Sequence, residues 1–229
     1  MFLILTDKIR LLLTEQSMKT QLDYLTTLGI ESWQLNGIPK KEILPENSSW
    51  EKLREQVAAC TTCALHKTRT QTVFGVGNFN AELMLIGEAP GFHEDKQGEP
   101  FVGRAGQLLN SMLQSVGFHR EQVYIANILK CRPPENRDPQ PDEVNCCTPF
   151  LQKQIALIQP KLLLAVGRIA AHYLLNTKQS LTRLRGQVYS FGENKTPLLV
   201  TFHPAYLLRN PADKGKAFQD LQHVFEMLQ

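Results

Sequence analysis

Residues 81–109 read "AELMLIGEAPGFHEDKQGEPFVGRAGQLL". The stretch opens on a near-continuous apolar run, breaks at Gly87 into glycines, proline and carboxylates, and closes on a segment with helical spacing. An apolar run without alternation fits a strand covered on both faces, as in a parallel sheet between two helical layers. A helix directly after such a strand carries the chain across to a parallel neighbour. Three more runs repeat the pattern: "QVYIANI" at 122–128, "KLLLAVG" at 161–167 and "PLLVTF" at 197–202. Helical spacing over 104–117, 141–158 and 168–175 supplies the crossovers. The alternation predicts an α/β fold: a three-layer α/β/α sandwich with a central, mostly parallel four-stranded sheet.

With 229 residues, one such domain and an appendage fit better than two domains. Apolar positions recur at helical spacing through "IRLLLTEQSMKTQLDYLTTLGI" (9–30), with Gly29 as a stop. "NGIPKKEILPENSSW" (36–50) carries two prolines and a glycine and reads as a linker. The expected organisation is a helical N-terminal extension and linker over 1–50 and the α/β domain over 51–229. The extension reads as a tether, with docking to an unidentified protein partner as the second reading. No internal repeat or low-complexity segment interrupts the chain.

Asp7, Lys8 and Arg10 break the first apolar run, so it reads as an amphipathic helix rather than a leader. No later run reaches bilayer length, so the expectation is no membrane partner and a cytoplasmic, nucleoid-associated location in a bacterial or archaeal cell. An apolar share of 42% marks a globular chain, and a net charge of +3 neither requires nor excludes a nucleic-acid partner.

Ligands of open parallel sheets bind beyond the carboxyl ends of the strands. The residues standing there are Gly87, Glu88 and Ala89 after the first run, Asn127 in the second, Gly167 and Arg168 after the third, and His203 after the fourth. Singly, Glu88 is explained by a turn, Asn127 by a strand cap and His203 by ordinary burial. A carboxylate, a carboxamide and an imidazole at equivalent strand ends point instead to one shared site.

Five cysteines lie in "CTTC" (60–63), "KCRPPENR" (130–137) and "NCCTPF" (145–150). A CxxC pair lets two sulfurs grip one metal while distant members close the site, so thiolate ligation of zinc or an iron–sulfur cluster outweighs a disulfide framework. Spacing alone does not choose between the two metals, and buried free thiols remain the structural alternative.

Five motifs in this order, "GEAPGFHED", "PFVGRAGQLL", "NILKCRPPENRDP", "CTPFL" and "FHPAYLLR", closely resemble the family 4 uracil-DNA glycosylases, the iron–sulfur branch of that superfamily. The resemblance covers roughly residues 55–225. It implies a monofunctional glycosylase that hydrolyses the N-glycosidic bond of deoxyuridine in single- or double-stranded DNA, acting as a monomer on a flipped base. A non-catalytic iron–sulfur DNA-binding module of the same fold is the alternative.

By that resemblance the catalytic residues are Glu88, which positions the attacking water, and His203, which donates to uracil O2. The substrate-binding set adds Gly87 and Ala89 as backbone lining, Asn127 as reader of the uracil edge, Phe101 as stacking ring, Glu94 as the wall against a 5-methyl group, and Asn136. Leu207 or Leu208 is the wedge left in the duplex, with Arg209 beside the DNA backbone. A [4Fe–4S] cluster is implied on Cys60, Cys63, Cys131 and Cys147, leaving Cys146 as the extra thiol.

Overall fold

The structure, a computed structural model, describes residues 46–229, and the predicted extension lies outside the described residues up to position 45. The four expected strands pair in parallel: β2 (Leu83–Gly87) lies between β3 (Tyr124–Asn127) and β4 (Leu162–Val166), and β4 pairs with β6 (Thr196–Thr201). Two edge strands, β1 (Val76–Gly77) and β5 (Tyr189–Phe191), join antiparallel and extend the sheet to six, in the order β1-β3-β2-β4-β6-β5. The expected four-strand count is thus raised by two pieces too short and too exposed to carry a period of their own.

Every residue of β2, β3 and β4 is buried, which is why these strands read as unbroken apolar runs. Met84 and Ile86 face one core cluster, and Leu83 and Leu85 face the other. The first cluster packs α1 (Glu46–Ala58), α4 (Pro141–Ile158) and α5 (Arg168–Leu174) on one face of the sheet. The second packs α3 (Arg104–Gln114) and α8 (Lys214–Glu226) on the other, completing the three layers. Three short helices, α2 (Phe92–Gln97), α6 (Leu181–Leu184) and α7 (Pro204–Arg209), sit in the connections.

Helix α1 begins inside the stretch whose prolines read as a linker. Its anchor is Trp50, buried among Phe79, Tyr124 and Phe74 at ring-centroid distances of 4.6, 5.7 and 5.9 Å. Helix α4 starts where its sequence says it should: Pro141 occupies the first turn and Gln140 with Glu143 forms a capping box. The Arg137 guanidinium grips the Glu143 carboxylate, holding the loop before the helix against its first turn.

At the far end of the sheet, buried Asp220 on α8 accepts from Thr201 Oγ1 at 2.8 Å and from Arg185 Nε at 2.7 Å. The same guanidinium lies 4.3 Å from the centroid of Phe202, the residue before His203. The network fixes the end of β6 from which the histidine emerges. Replacing Trp50 by alanine should lower unfolding free energy by about 3 kcal/mol in urea denaturation, since the buried indole packs against Phe74 and Tyr124 of the core and is covered by Phe79; an unchanged midpoint would show that α1 does not belong to the folded unit.

Candidate active site

The parallel register sets Gly87 opposite Asn127, so two strands end side by side. A cleft of about 750 Å³ opens beyond those ends, lined by Glu88, Ala89, Glu94, Phe101, Asn127, Asn136, His203 and Arg209 from the expected set. Gly87 lies under its floor. A Cβ there would stand 2.4 Å from Asn127 Oδ1 and 2.8 Å from Phe101 Cζ, so only glycine lets carboxamide and ring meet above the strand end.

Asn127 is 2% exposed, yet its Oδ1 has no hydrogen-bond partner, alone among buried side-chain nitrogens and oxygens of the described residues. An unmatched buried acceptor costs about 1–3 kcal/mol, a loss that a ligand donor entering the cleft removes.

His203 caps the amino end of α7: its Nδ1 accepts from the Ala205 N–H at 3.1 Å, and Pro204 follows at the first helical position. In the neutral ring that bond leaves the proton on Nε2. Burial, helped by the positive Arg209 and opposed by Glu94, pulls the imidazole down to about 4, so it is uncharged near neutral pH. Glu88 moves the other way. Burial first, then repulsion from Asp138, pushes its carboxyl up to about 7 against the pull of Arg168. An acid poised near neutrality and a fixed neutral donor thus face one cavity.

Phe101 lies 5.6 Å from His203 between ring centroids. Its backbone holds φ at +53, a left-handed conformation that costs a bulky residue about 1–3 kcal/mol. Helix α3 enforces it: a Cβ on Gly106 would reach 1.8 Å from the Phe101 carbonyl oxygen. Glu94 pins the turn that leads into α3, its Oε1 accepting from the Val102 and Gly103 amides at 3.0 Å each. Asn136 is held at the rim by Arg132, whose Nε donates to its Oδ1 at 2.7 Å.

The cysteines gather elsewhere, around a smaller pocket lined by Cys60, Cys63, Cys131, Cys146 and Cys147. Arg69 donates to Cys131 Sγ at 3.1 Å and the Lys130 amide to Cys147 Sγ at 3.2 Å, while Cys146 turns toward the Thr62 carbonyl. Burial raises the Cys63, Cys131 and Cys147 thiols above their ordinary value. Among the described residues, no three His, Cys, Asp or Glu side chains converge at the spacing of a single metal ion. The Lys130 ammonium, fully buried, reaches from this pocket toward the cleft and donates to the Asn127 carbonyl at 2.8 Å.

A profile of the uracil DNA glycosylase superfamily matches residues 74–229, from the first edge strand to the last helix. The chain belongs to the uracil-DNA glycosylase superfamily. Its relatives include type-4 uracil-DNA glycosylases of Archaeoglobus fulgidus, 42% identical over 78% of this chain and 93% of that protein, and of Thermotoga maritima, 45% identical over 72% and 85%. The enzyme of that name from Sulfurisphaera tokodaii is 41% identical over 78% of this chain and 84% of its own.

Of the two leucines expected as the wedge in this glycosylase-superfamily chain, Leu207 is fully buried in the second core cluster and its neighbour Leu208 is 38% exposed. Adjacent residues of a helix point about 100° apart, and sequence alone does not say which faces the core. Two further cleft residues lie inside the quoted motifs but were given no role from the sequence, Asp138 and Tyr206. Asp138 forms a 2.9 Å ion pair with Arg168, and Tyr206 stacks on Phe202 while donating to Asp213.

Glycine replacements separate the cleft from the surface. Gly106→Ala should lower stability by about 2–3 kcal/mol because a backbone oxygen blocks the methyl group. Gly215→Ala, in open space on α8, should instead add about 0.5–1 kcal/mol. Thermal unfolding of both variants checks the contrast; equal shifts would contradict the packing of Phe101 on α3.

Proposed function

We propose that the chain, acting as a monomer, hydrolyses the N-glycosidic bond of deoxyuridine in DNA, releasing uracil and leaving an abasic site, the first step of base excision repair. The observation that carries this reading is the unpartnered Oδ1 of Asn127 in a cleft shared with Glu88 and His203. Uracil offers that oxygen its N3–H and offers the amide nitrogen its O4. Cytosine presents the opposite polarity at both atoms, at a cost on the order of 1–3 kcal/mol for each group left unmatched.

Phe101 stacks on the extruded base, and the backbone of Gly87 to Ala89 lines the pocket against it. The Glu94 carboxylate, tied to two amides, is the wall that leaves no room for a 5-methyl group. Asn136 serves the mouth of the cleft. Outside it, Leu208 is the wedge and Arg209 the phosphate contact.

Bond cleavage makes the sugar cationic while negative charge grows on uracil O2. His203 meets that charge with its Nε2–H, a donor fixed in advance by the Ala205 amide on Nδ1. The ionised Glu88 favours the sugar cation and orients the water, taking the proton that the water loses on bonding to C1′. No lysine lines the cleft among the described residues, which favours water over an amine as nucleophile.

Cys60, Cys63, Cys131 and Cys147 would hold a [4Fe–4S] cluster, which supplies a cross-link between segments distant in sequence. The donor set fits: the sulfurs ring a pocket, and the Arg69 and Lys130 N–H groups aimed at two of them suit thiolates. Cys131→Ser should bleach the protein's visible absorbance and lower its melting temperature. Retained colour and stability would remove Cys131 from the ligand set.

The function is tested by incubating protein with uracil-containing and matched thymine-containing oligonucleotides, then cleaving abasic product with alkali. Only the uracil strand should break. A carboxyl titrating near 7 is protonated below that pH and ionised above it, so single-turnover release should rise with pH through about 7. His203, neutral above about 4, adds no limb in that range. Glu88→Gln should cost on the order of 10²–10³ in rate and flatten the profile; parental rate in that variant would refute the assignment.

A further inference from the structure

Arg120 opens a short helical turn over Arg120–Gln122, just before β3, and its guanidinium reaches back to the loop that carries Phe101. Its Nη2 donates to the Pro100 carbonyl at 2.5 Å, and its Nη1 donates to the Phe101 carbonyl at 3.3 Å and to Asn110 Oδ1 on α3 at 3.2 Å. These bonds go to two main-chain carbonyls and a carboxamide. An arginine spent in this way holds a backbone shape, because its planar fork fixes several acceptors at once.

The shape it holds is an unfavourable one. Phe101 has a positive φ, and its carbonyl lies so close to Gly106 of α3 that a Cβ there would collide with it. A bulky residue leaves that conformation unless its surroundings over-determine it. On relaxing, the peptide would turn and carry the ring away from His203, its neighbour across the cleft at 5.6 Å. The Phe101 peptide is therefore gripped between a guanidinium and a helix, and its side chain points into the cleft.

We propose that Arg120 is a positioning residue for base recognition: by clamping the Pro100 and Phe101 carbonyls it keeps the Phe101 ring at the stacking height of an extruded uracil. The inference rests on the reading of Phe101 as the stacking ring. It gives Arg120 a part in base binding although it does not line the cleft.

A stacking contact made equally in ground and transition states appears in KM rather than kcat. The test uses the full chain with matched iron content and a uracil-containing single-stranded oligonucleotide, comparing Phe101→Leu, Arg120→Met and the double variant. Each single variant should raise KM on the order of tenfold with kcat within about threefold, and the double variant should be no worse than Phe101→Leu alone. Arg120→Lys, which keeps donors but not the fork, should fall between parent and Arg120→Met, and it carries the comparison if the methionine variant does not fold.

Multiplicative effects in the double variant overturn the proposal. So does a lowered melting temperature with parental KM in the Arg120 variants while Phe101→Leu is impaired, the signature of a merely structural contact. Parental KM in Phe101→Leu would instead remove the stacking role itself, and the positioning role with it.

Discussion

The in-register parallel pairing of β2 with β3 is the constraint on which the site depends, because it sets Gly87 opposite Asn127 at a shared strand end. A slip of one residue would turn Asn127 to the other face and set Ala126 or Ile128 opposite Gly87. The pairing is secured by burial on both faces of both strands and continues past them, with the Ile128 and Leu129 amides donating to the Gly87 and Glu88 carbonyls. The loop that leaves β2 is therefore stitched to the loop that leaves β3, and Glu88 is placed by main-chain bonds before its side chain makes any contact.

From that rim the electrostatics follow. Burial favours the uncharged form of both titrating groups, so it moves them in opposite directions: the Glu88 carboxyl rises to about 7 and the His203 imidazole falls to about 4. The pair stands ready as a weak base and an uncharged donor near neutral pH. Neither state needs a metal at the reaction centre, and the cysteines occupy a separate pocket. Lys130 spans the two, its amide donating to Cys147 and its ammonium to the Asn127 carbonyl.

Much of this architecture is legible in the sequence because burial on both faces leaves an unmistakable mark. "LMLIG", "YIAN" and "LLLAV" are strands with no polar interruption, and Pro141 with Gln140 and Glu143 announces α4. The edge strands are not legible, since two or three half-exposed residues define no period. Helix α1 is obscured by the prolines before it, and only the aromatic partners of Trp50 reveal that it is packed. Within the site, residues at strand ends could be placed by topology alone. Those fixed by rotation about a helix or by a reach across the fold could not: Leu207 against Leu208 is the first kind, and Arg120 on the Phe101 carbonyl is the second.

The protein leaves the oxygen of one buried carboxamide, Asn127, unsatisfied, and we propose that this group reads the edge of an extruded pyrimidine. Asn127→Asp keeps the shape and removes the amide donors, so it isolates that reading from packing. Single-turnover release of uracil and of cytosine from otherwise identical single strands measures it most directly. The parent should release uracil alone and the variant should lose most uracil release, so that its preference between the two bases collapses. A variant that keeps the parental rate and preference for uracil would contradict it.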